Sequence, residues 1–276
     1  MINYNGNLIN KESFNLSTEN RAFNYGDGVF ETIKIQQGKV VFWEDHYFRL
    51  MASMRMLRMK IPMNFTLEHL ELELLKTVEG CGFKGMARAR LTVYRKDGGL
   101  YTPKTNAVDY IIDVKPITSE MKSIYKIDLY KDFYNYSGLL STIKTTNRMV
   151  NTLASIFAKE NDLEGCILLN ERKGVVEAAN GNIFVVKGTV VKTPPLSEGC
   201  IKGISRLKVI DIINSHSDYT LEEVVISPFE IQKADEVFIT NAIVGIQPVT
   251  QYRKKQFTTE IGKKLKNTLQ LKAITG

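Results

Sequence analysis

The sequence predicts an α+β fold in two subdomains, a smaller one over residues 1–118 and a larger one over 119–276. Three observations predict it. Strand-like and helix-like runs intermix without a regular βαβ repeat, which argues against a doubly wound parallel sheet. The stretch Lys115 to Ser123 contains Pro116, shows no hydrophobic period and reads as a linker. A chain of 276 residues, 43% of them hydrophobic, can also fill one large core or two smaller ones.

The elements follow in order. Val29 to Phe42 reads as a hairpin turning at Gln36-Gln37-Gly38. Glu44 to Lys60 reads as a helix because Tyr47, Leu50, Met51, Met54 and Leu57 fall on one stripe. A second helix starts near Thr66 and carries Leu67, Leu70, Leu74 and Val78. Arg88 to Tyr94 and Val108 to Val114 are strand-like. After the linker come a strand near Ile124 to Tyr130 and a helix from about Thr146 to Glu160, with Met149, Leu153, Ile156 and Phe157 expected inward. Short strands follow at Cys166–Leu169, Ile183–Val186 and Val190–Lys192. A helix opens at Gly203-Ile204-Ser205, a strand runs through Val237–Thr240, and a last helix starts at Thr258.

Composition removes several functions. No run of about 18 apolar residues occurs, so no membrane span is expected. The polar start MINYNGNLINKES lacks the form of a secretory signal. Cys81, Cys166 and Cys200 are odd in number and widely spaced, which fits reduced thiols and a cytoplasmic protein better than a disulfide framework. The net charge of +7 comes from scattered lysines and arginines with no basic helix or stacking platform, so no nucleic-acid partner is expected. The histidines His46, His69 and His216 form no metal-like cluster and read as ordinary helix-surface or core residues. Gly26-Asp27-Gly28 lacks the dinucleotide spacing, and neither a phosphate-binding Walker loop nor a nucleophile elbow is present. With metal, nicotinamide and serine–histidine signatures all missing, an organic electron sink is the attractive remaining option.

Such a sink, pyridoxal phosphate, needs a lysine to carry it, a carboxylate to keep its ring nitrogen protonated, a cradle for its phosphate, and a second anion site for the substrate. The sequence has candidates for all four within a series of blocks. These are Tyr25 to Thr32, His46 to Leu50, Arg88 to Leu91, Ile143 to Arg148, Val176-Glu177 leading to Asn182-Ile183-Phe184, Thr193-Pro194-Pro195, Gly203 to Arg206, and Ala234 to Asn241. In order and spacing the series resembles the class IV aminotransferase family, the fold type IV pyridoxal phosphate enzymes related to D-amino-acid aminotransferase, over nearly the whole chain.

The resemblance implies a role for each match. Lys144 matches the lysine that carries pyridoxal 5'-phosphate and then serves as general base for the substrate's Cα proton. Glu177 matches the carboxylate that faces the ring nitrogen, and Arg49 the phosphate-binding arginine. Ile204 and Ser205 hold the phosphate for a reason independent of family, since free N–H groups and the positive dipole end meet at a helix start. Thr240 and Asn241 follow a strand and add hydroxyl and amide donors. On the substrate side, Arg88 and Arg90 lie two apart on a strand and share a face; Tyr25 and Phe30 match pocket-lining positions, and Arg148 joins as a candidate for a substrate carboxylate. A homodimer is implied as well.

Within the family the resemblance leans to 4-amino-4-deoxychorismate lyase, which releases 4-aminobenzoate and pyruvate for folate synthesis. The alternative is a branched-chain or D-amino-acid transaminase. Thr-Thr-Asn-Arg after Lys144, the ending Thr240-Asn241-Ala242 with Pro248-Val249, and the short chain are lyase-like. Two departures stand out: Glu31, where some lyases have threonine and transaminases commonly have glutamate, and Asn20, where many relatives have aspartate. The second is expected to affect loop structure rather than chemistry.

Overall fold

The structure is a computed structural model that describes every residue except Ser119, His216, Ser217 and Gly276, and Thr275 in its backbone alone. His216 and the Ser119 position of the expected linker therefore lie outside the described residues. The chain divides into two compact units, Met1–Ser119 with Ile143–Asn147, and Glu120–Thr142 with Arg148–Gly276. This differs from the single cut expected after residue 118: the segment that carries Lys144 returns to the first unit. The cause is backbone pairing. Thr145 bridges Val29 antiparallel, the Phe30 N–H donates to the Lys144 carbonyl at 2.9 Å, and the Thr146 N–H donates to the Gly28 carbonyl at 2.9 Å.

The first unit contains β1 (Ile2–Tyr4), β2 (Asn7–Ile9), α1 (Arg21–Tyr25), β3 (Gly28–Gln36), β4 (Lys39–Val40), α2 (Trp43–Met56), α3 (Leu67–Gly80), β5 (Ala87–Arg95) and β6 (Val108–Pro116). Its antiparallel sheet has the order β2-β1-β6-β5-β3-β4. The β3–β4 turn places Gln37 and Gly38 at φ of 52° and 72°, the left-handed pair that matches strand twist. Period-two alternation sends Val29, Ile33 and Ile35, with Ala87, Ala89, Leu91 and Val93, into one core with Leu50, Met51, Met54, Leu70 and Leu74. Phe30, Thr32 and Lys34 point to the other face, as do Arg88 and Arg90, in the register Thr32–Arg90 and Lys34–Arg88. α2 stops four residues before the expected Lys60, because Arg58 adopts φ of 56°. The linker also starts later than expected: Lys115 and Pro116 still pair with Arg88 and Ala87.

The second unit contains β7 (Lys126–Leu129), α4 (Met149–Glu160), β8 (Gly165–Leu169), β9 (Val175–Ala178), β10 (Asn182–Lys187), β11 (Val190–Thr193), α5 (Ile204–Asn214), β12 (Thr220–Glu223), α6 (Pro228–Lys233), β13 (Glu236–Asn241), β14 (Gly245–Val249), β15 (Gln251–Tyr252), β16 (Lys255–Gln256) and α7 (Glu260–Thr275). Two five-stranded sheets form, ordered β12-β11-β10-β13-β14 and β16-β15-β7-β8-β9. Ile127, Ile167, Val175, Ile183, Val237 and Ile239 draw strands of both sheets into one core. α4 corrects the expected stripe: Met149 and Ile156 are 69% and 48% exposed, while Ala154 and Ala158 are buried with Cys166 and Leu168. Two alanines four apart let the helix lie close over β8, and Leu153 and Phe157 flank that seam half-buried. Among the described residues, no helix is long and apolar enough to cross a membrane.

Candidate functional site

In the first unit the chemistry gathers around the ring of Phe30. The strand-like segment 143–147 buries Ile143 and Thr145 and turns Lys144 the other way, half-buried. Lys144 Nζ lies 4.5 Å from the Phe30 ring centroid, and Arg90 Cζ lies 3.6 Å from it. Both distances are within cation–π range. Burial and the charge of Arg88 lower the proton affinity of Arg90, with Asp113 opposing. Among the described residues no carboxylate forms an ion pair with Arg88 or Arg90, so both guanidiniums keep charge available for an anion.

The turn that leads into β3 fits around the Lys144 segment. Gly26 sits at φ of 62°, and a Cβ there would fall 2.3 Å from Asn147 Oδ1. Thr146 Oγ1 donates to the Gly26 carbonyl at 2.7 Å. Tyr25, half-buried at the end of α1, has Arg21 Cζ 4.9 Å from its ring centroid and Tyr101 5.8 Å away. Arg21 is itself fixed by Asp27 at 2.8 Å and by the Leu100 carbonyl at 2.6 Å. Asn20 caps α1 by accepting from the Phe23 N–H at 3.0 Å and donates to Asp97 at 3.2 Å, a loop-shaping role.

Arg49 lies on the opposite side of the sheet from Phe30, against Glu31. Its Nε and Nη2 donate to the two Glu31 oxygens at 2.8 and 2.5 Å, and His46 Nδ1 lies 2.7 Å from Oε2. Burial favours the neutral acid, yet the charge and hydrogen bonds of Arg49, with the His46 contact, outweigh it and hold the Glu31 carboxyl at about 2. Burial pushes His46 down from its usual value against the pull of Glu31.

The second unit assembles the anion-binding candidates. Glu177, buried on β9, accepts from the Ile201 N–H at 2.9 Å. Ile204 and Ser205 open α5 behind an N-cap glycine, Gly203, which brings no side chain to the helix's first N–H groups. Gly203 has to be small: a Cβ would stand 2.0 Å from Asn182 Oδ1, and Asn182 Nδ2 holds the Ile201 carbonyl at 2.8 Å. Thr240 pairs with Asn182 across β13 and β10, and its buried hydroxyl finds no hydrogen-bond partner among the described residues. Asn241 instead serves its own turn, where Oδ1 accepts from Ile243 and Val244 at 3.0 Å each. Arg148 is the N-cap residue of α4, and its carbonyl accepts from Thr152.

The structure therefore brings Lys144, Phe30 and Arg90 together in one unit, and Glu177, Ile204, Ser205 and Thr240 in the other. Asn241 is a turn former, and Arg148 a helix-start residue. Sequence reasoning missed Asn182 and Gly203 as the pair that shapes the α5 entrance. It named both inside motifs, but a glycine against an amide across the chain has no local pattern to reveal it. The donor set suits a phosphorylated heteroaromatic cofactor with a protonatable nitrogen. An uncapped helix start with an orphaned hydroxyl matches the phosphate, and a buried carboxylate matches the nitrogen.

Comparison with known proteins agrees with this geometry. The family model for amino-transferase class IV matches residues 28–252. A putative branched-chain-amino-acid aminotransferase of Methanocaldococcus jannaschii is 30% identical over 96% of this chain and 93% of its own length. An aminodeoxychorismate lyase of Vibrio harveyi is 25% identical over 83% of this chain and 84% of its own. Among solved structures, a branched-chain aminotransferase of Thermoproteus uzoniensis with norvaline superposes with a TM-score of 0.90 at 25% identity, covering 98% of this chain and 93% of the other. The chain belongs to the class IV aminotransferase family, whose members are pyridoxal phosphate-dependent aminotransferases and lyases.

Proposed function

We propose that this chain binds pyridoxal 5'-phosphate through Lys144 and acts as a 4-amino-4-deoxychorismate lyase, releasing 4-aminobenzoate and pyruvate. When bound, the cofactor supplies an electron sink for the bond broken at the substrate's amino-bearing carbon. The protein does the rest. Lys144 moves the proton, Glu177 holds charge at the ring nitrogen, and Ile204, Ser205 and Thr240 bind the phosphate with Arg49. Asn241 shapes the turn beside Thr240. Arg88 and Arg90 receive substrate carboxylates, Tyr25 and Phe30 wall the pocket, and Arg148 completes the substrate set. The observation that carries the reading is the placement of Lys144 and Arg90 on one Phe30 ring, with Arg88 on the same strand face as Arg90 and neither guanidinium in an ion pair with a carboxylate among the described residues. That surface suits a dianionic substrate such as aminodeoxychorismate.

A transaminase acting on branched-chain or D-amino acids is the second reading. It is favoured by Glu31, and by similarity to a D-alanine aminotransferase of Bacillus licheniformis, 27% identical over 90% of this chain. A homodimer in the cytoplasm is the state we propose for either.

Paired assays on cofactor-loaded protein decide between them. One follows 4-aminobenzoate and pyruvate; the other follows amino transfer from leucine, glutamate and D-alanine to 2-oxo acids. Release of 4-aminobenzoate with slow transfer supports the lyase, and transfer without 4-aminobenzoate overturns it. In both cases Lys144→Ala should abolish turnover and the yellow lysine-bound chromophore, and a chromophore that survives it removes Lys144 from its role.

A further inference from the structure

Gly26 and Gly28 each face a side chain of the segment that carries Lys144. That segment, Ile143–Asn147, belongs to the first unit, while the chain on both sides of it belongs to the second. Its pairing with β3 is an isolated antiparallel bridge, Val29 with Thr145, and not a ladder of several residues. The bridge sets Phe30 against Lys144 and Gly28 against Thr146, with a backbone bond of 2.9 Å at each place. A slip of one residue would turn Lys144 to the other face of the segment. An isolated bridge resists such a slip poorly, and side chains supply what it lacks. Thr146 Oγ1 donates to the Gly26 carbonyl at 2.7 Å and lies 3.3 Å from the Gly28 carbonyl, at the point where β3 begins. Its methyl occupies the space over Gly28, where a Cβ would stand 3.2 Å from Thr146 Cγ2 and 3.1 Å from the Val93 carbonyl oxygen. Asn147 fills the corresponding space at Gly26, where a Cβ would fall 2.3 Å from Oδ1 and 2.6 Å from Cγ. Each glycine is a notch, and consecutive side chains of the lysine segment fill both.

We infer that Gly26 and Gly28 are seats for Asn147 and Thr146, and that the two fits lock the register that keeps Lys144 Nζ 4.5 Å from the Phe30 ring centroid. Thr146 and Asn147 are then positioning residues for Lys144. The inference rests on the assignment of Lys144 to the cofactor. It gives Gly26-Asp27-Gly28 a purpose other than cradling a phosphate: the missing side chains admit the protein's own backbone and side chains at close approach. Pre-ordering the lysine in this way lowers the entropy lost when its amine forms a bond to an aldehyde.

The test separates attachment at Lys144 from binding of the rest of the cofactor. Two probes are titrated into the apo-protein: pyridoxal phosphate, and deoxypyridoxine phosphate, in which a methyl group replaces the aldehyde and no bond to lysine can form. Thr146→Val keeps the shape and removes the hydroxyl. It should weaken pyridoxal phosphate about tenfold and change deoxypyridoxine phosphate by less than about twofold. Thr146→Ser retains the hydroxyl and should recover most of the loss. In the Lys144→Ala background, Thr146→Val should change the affinity of either probe by less than about twofold, since it acts through the lysine. Equal losses for both probes overturn the inference, because they mark a general disturbance and not a displaced lysine. Unchanged affinities overturn it too, as does a Thr146→Ser variant as weak as Thr146→Val. If Thr146→Val does not fold, Thr146→Ala carries the same comparison. Wild-type protein that takes up no pyridoxal phosphate, or holds it on another lysine after borohydride reduction, removes the assignment of Lys144 and this inference with it. A wild-type adduct on Lys144 with no selective loss in the variants removes the inference alone.

Discussion

Thr240 shows how one side chain can be wrong for folding and right for binding. Its hydroxyl is buried, 1% exposed, and makes no hydrogen bond within the described protein. An unsatisfied buried hydroxyl costs about 1–3 kcal/mol. Thr240→Val keeps the shape and removes that cost, so the apo-protein should melt higher by several degrees, at roughly 2–4 °C per kcal/mol. If the hydroxyl serves the phosphate, the same variant should bind pyridoxal phosphate about tenfold more weakly. Calorimetric melting with absorbance titration reads both signs. A stabilised variant with unchanged cofactor affinity would leave Thr240 without a binding role. The sequence offers Asn241 as an amide donor beside Thr240, and the structure uses its oxygen in the turn.

The elements were legible where one face is wet and one dry. α2 and α3 bury Leu50, Met51, Met54, Leu70 and Leu74 along the stripes that their spacing dictates. α4 misled because the reading followed its largest apolar side chains, whereas close packing on β8 selects Ala154 and Ala158. β9 passed unnoticed as a strand because Val175 to Ala178 are all buried, which leaves no alternation to detect. Its Glu177 was found through a motif, so the site was more legible there than the element that bears it. The α5 entrance offers a test of element geometry. Gly203 has an ordinary φ of −71°, so its need for glycine is one of space alone. Gly203→Ala must displace Asn182 or lift the start of α5, and cofactor affinity should fall about tenfold or more while α5 itself stays folded. Asn182→Ala in the same chain opens room for the new methyl and should recover part of that loss. No recovery would mean that the pair does not set the helix entrance.

The division into units was legible only in outline, because a linear reading cuts a chain once and backbone pairing can bring a short segment back. Thr145 against Val29 is such a pairing, and it places Lys144 on the first unit through contacts separated by more than a hundred residues. The same unit holds the groups that should set the protein's acid response. Glu31 has a folded value of about 2, below its ordinary 4.5, so the stability it contributes is fully present above pH 4.5 and is lost as pH falls toward 2. That shift corresponds to about 3 kcal/mol. His46 is also depressed when folded, so the unfolded chain takes up its proton first, and stability begins to fall as pH drops through 6.5. The two act in the same direction: melting temperature should be flat near neutrality, decline gently below pH 6.5, and decline steeply below pH 4.5. Replacing Glu31 by Gln removes one buried contributor to the steep limb and also the ion pair, so the variant should melt lower than wild type at pH 7 and approach it near pH 3. Parallel melting curves for the two proteins across that whole range would show that the Glu31–Arg49–His46 group does not govern the acid limb.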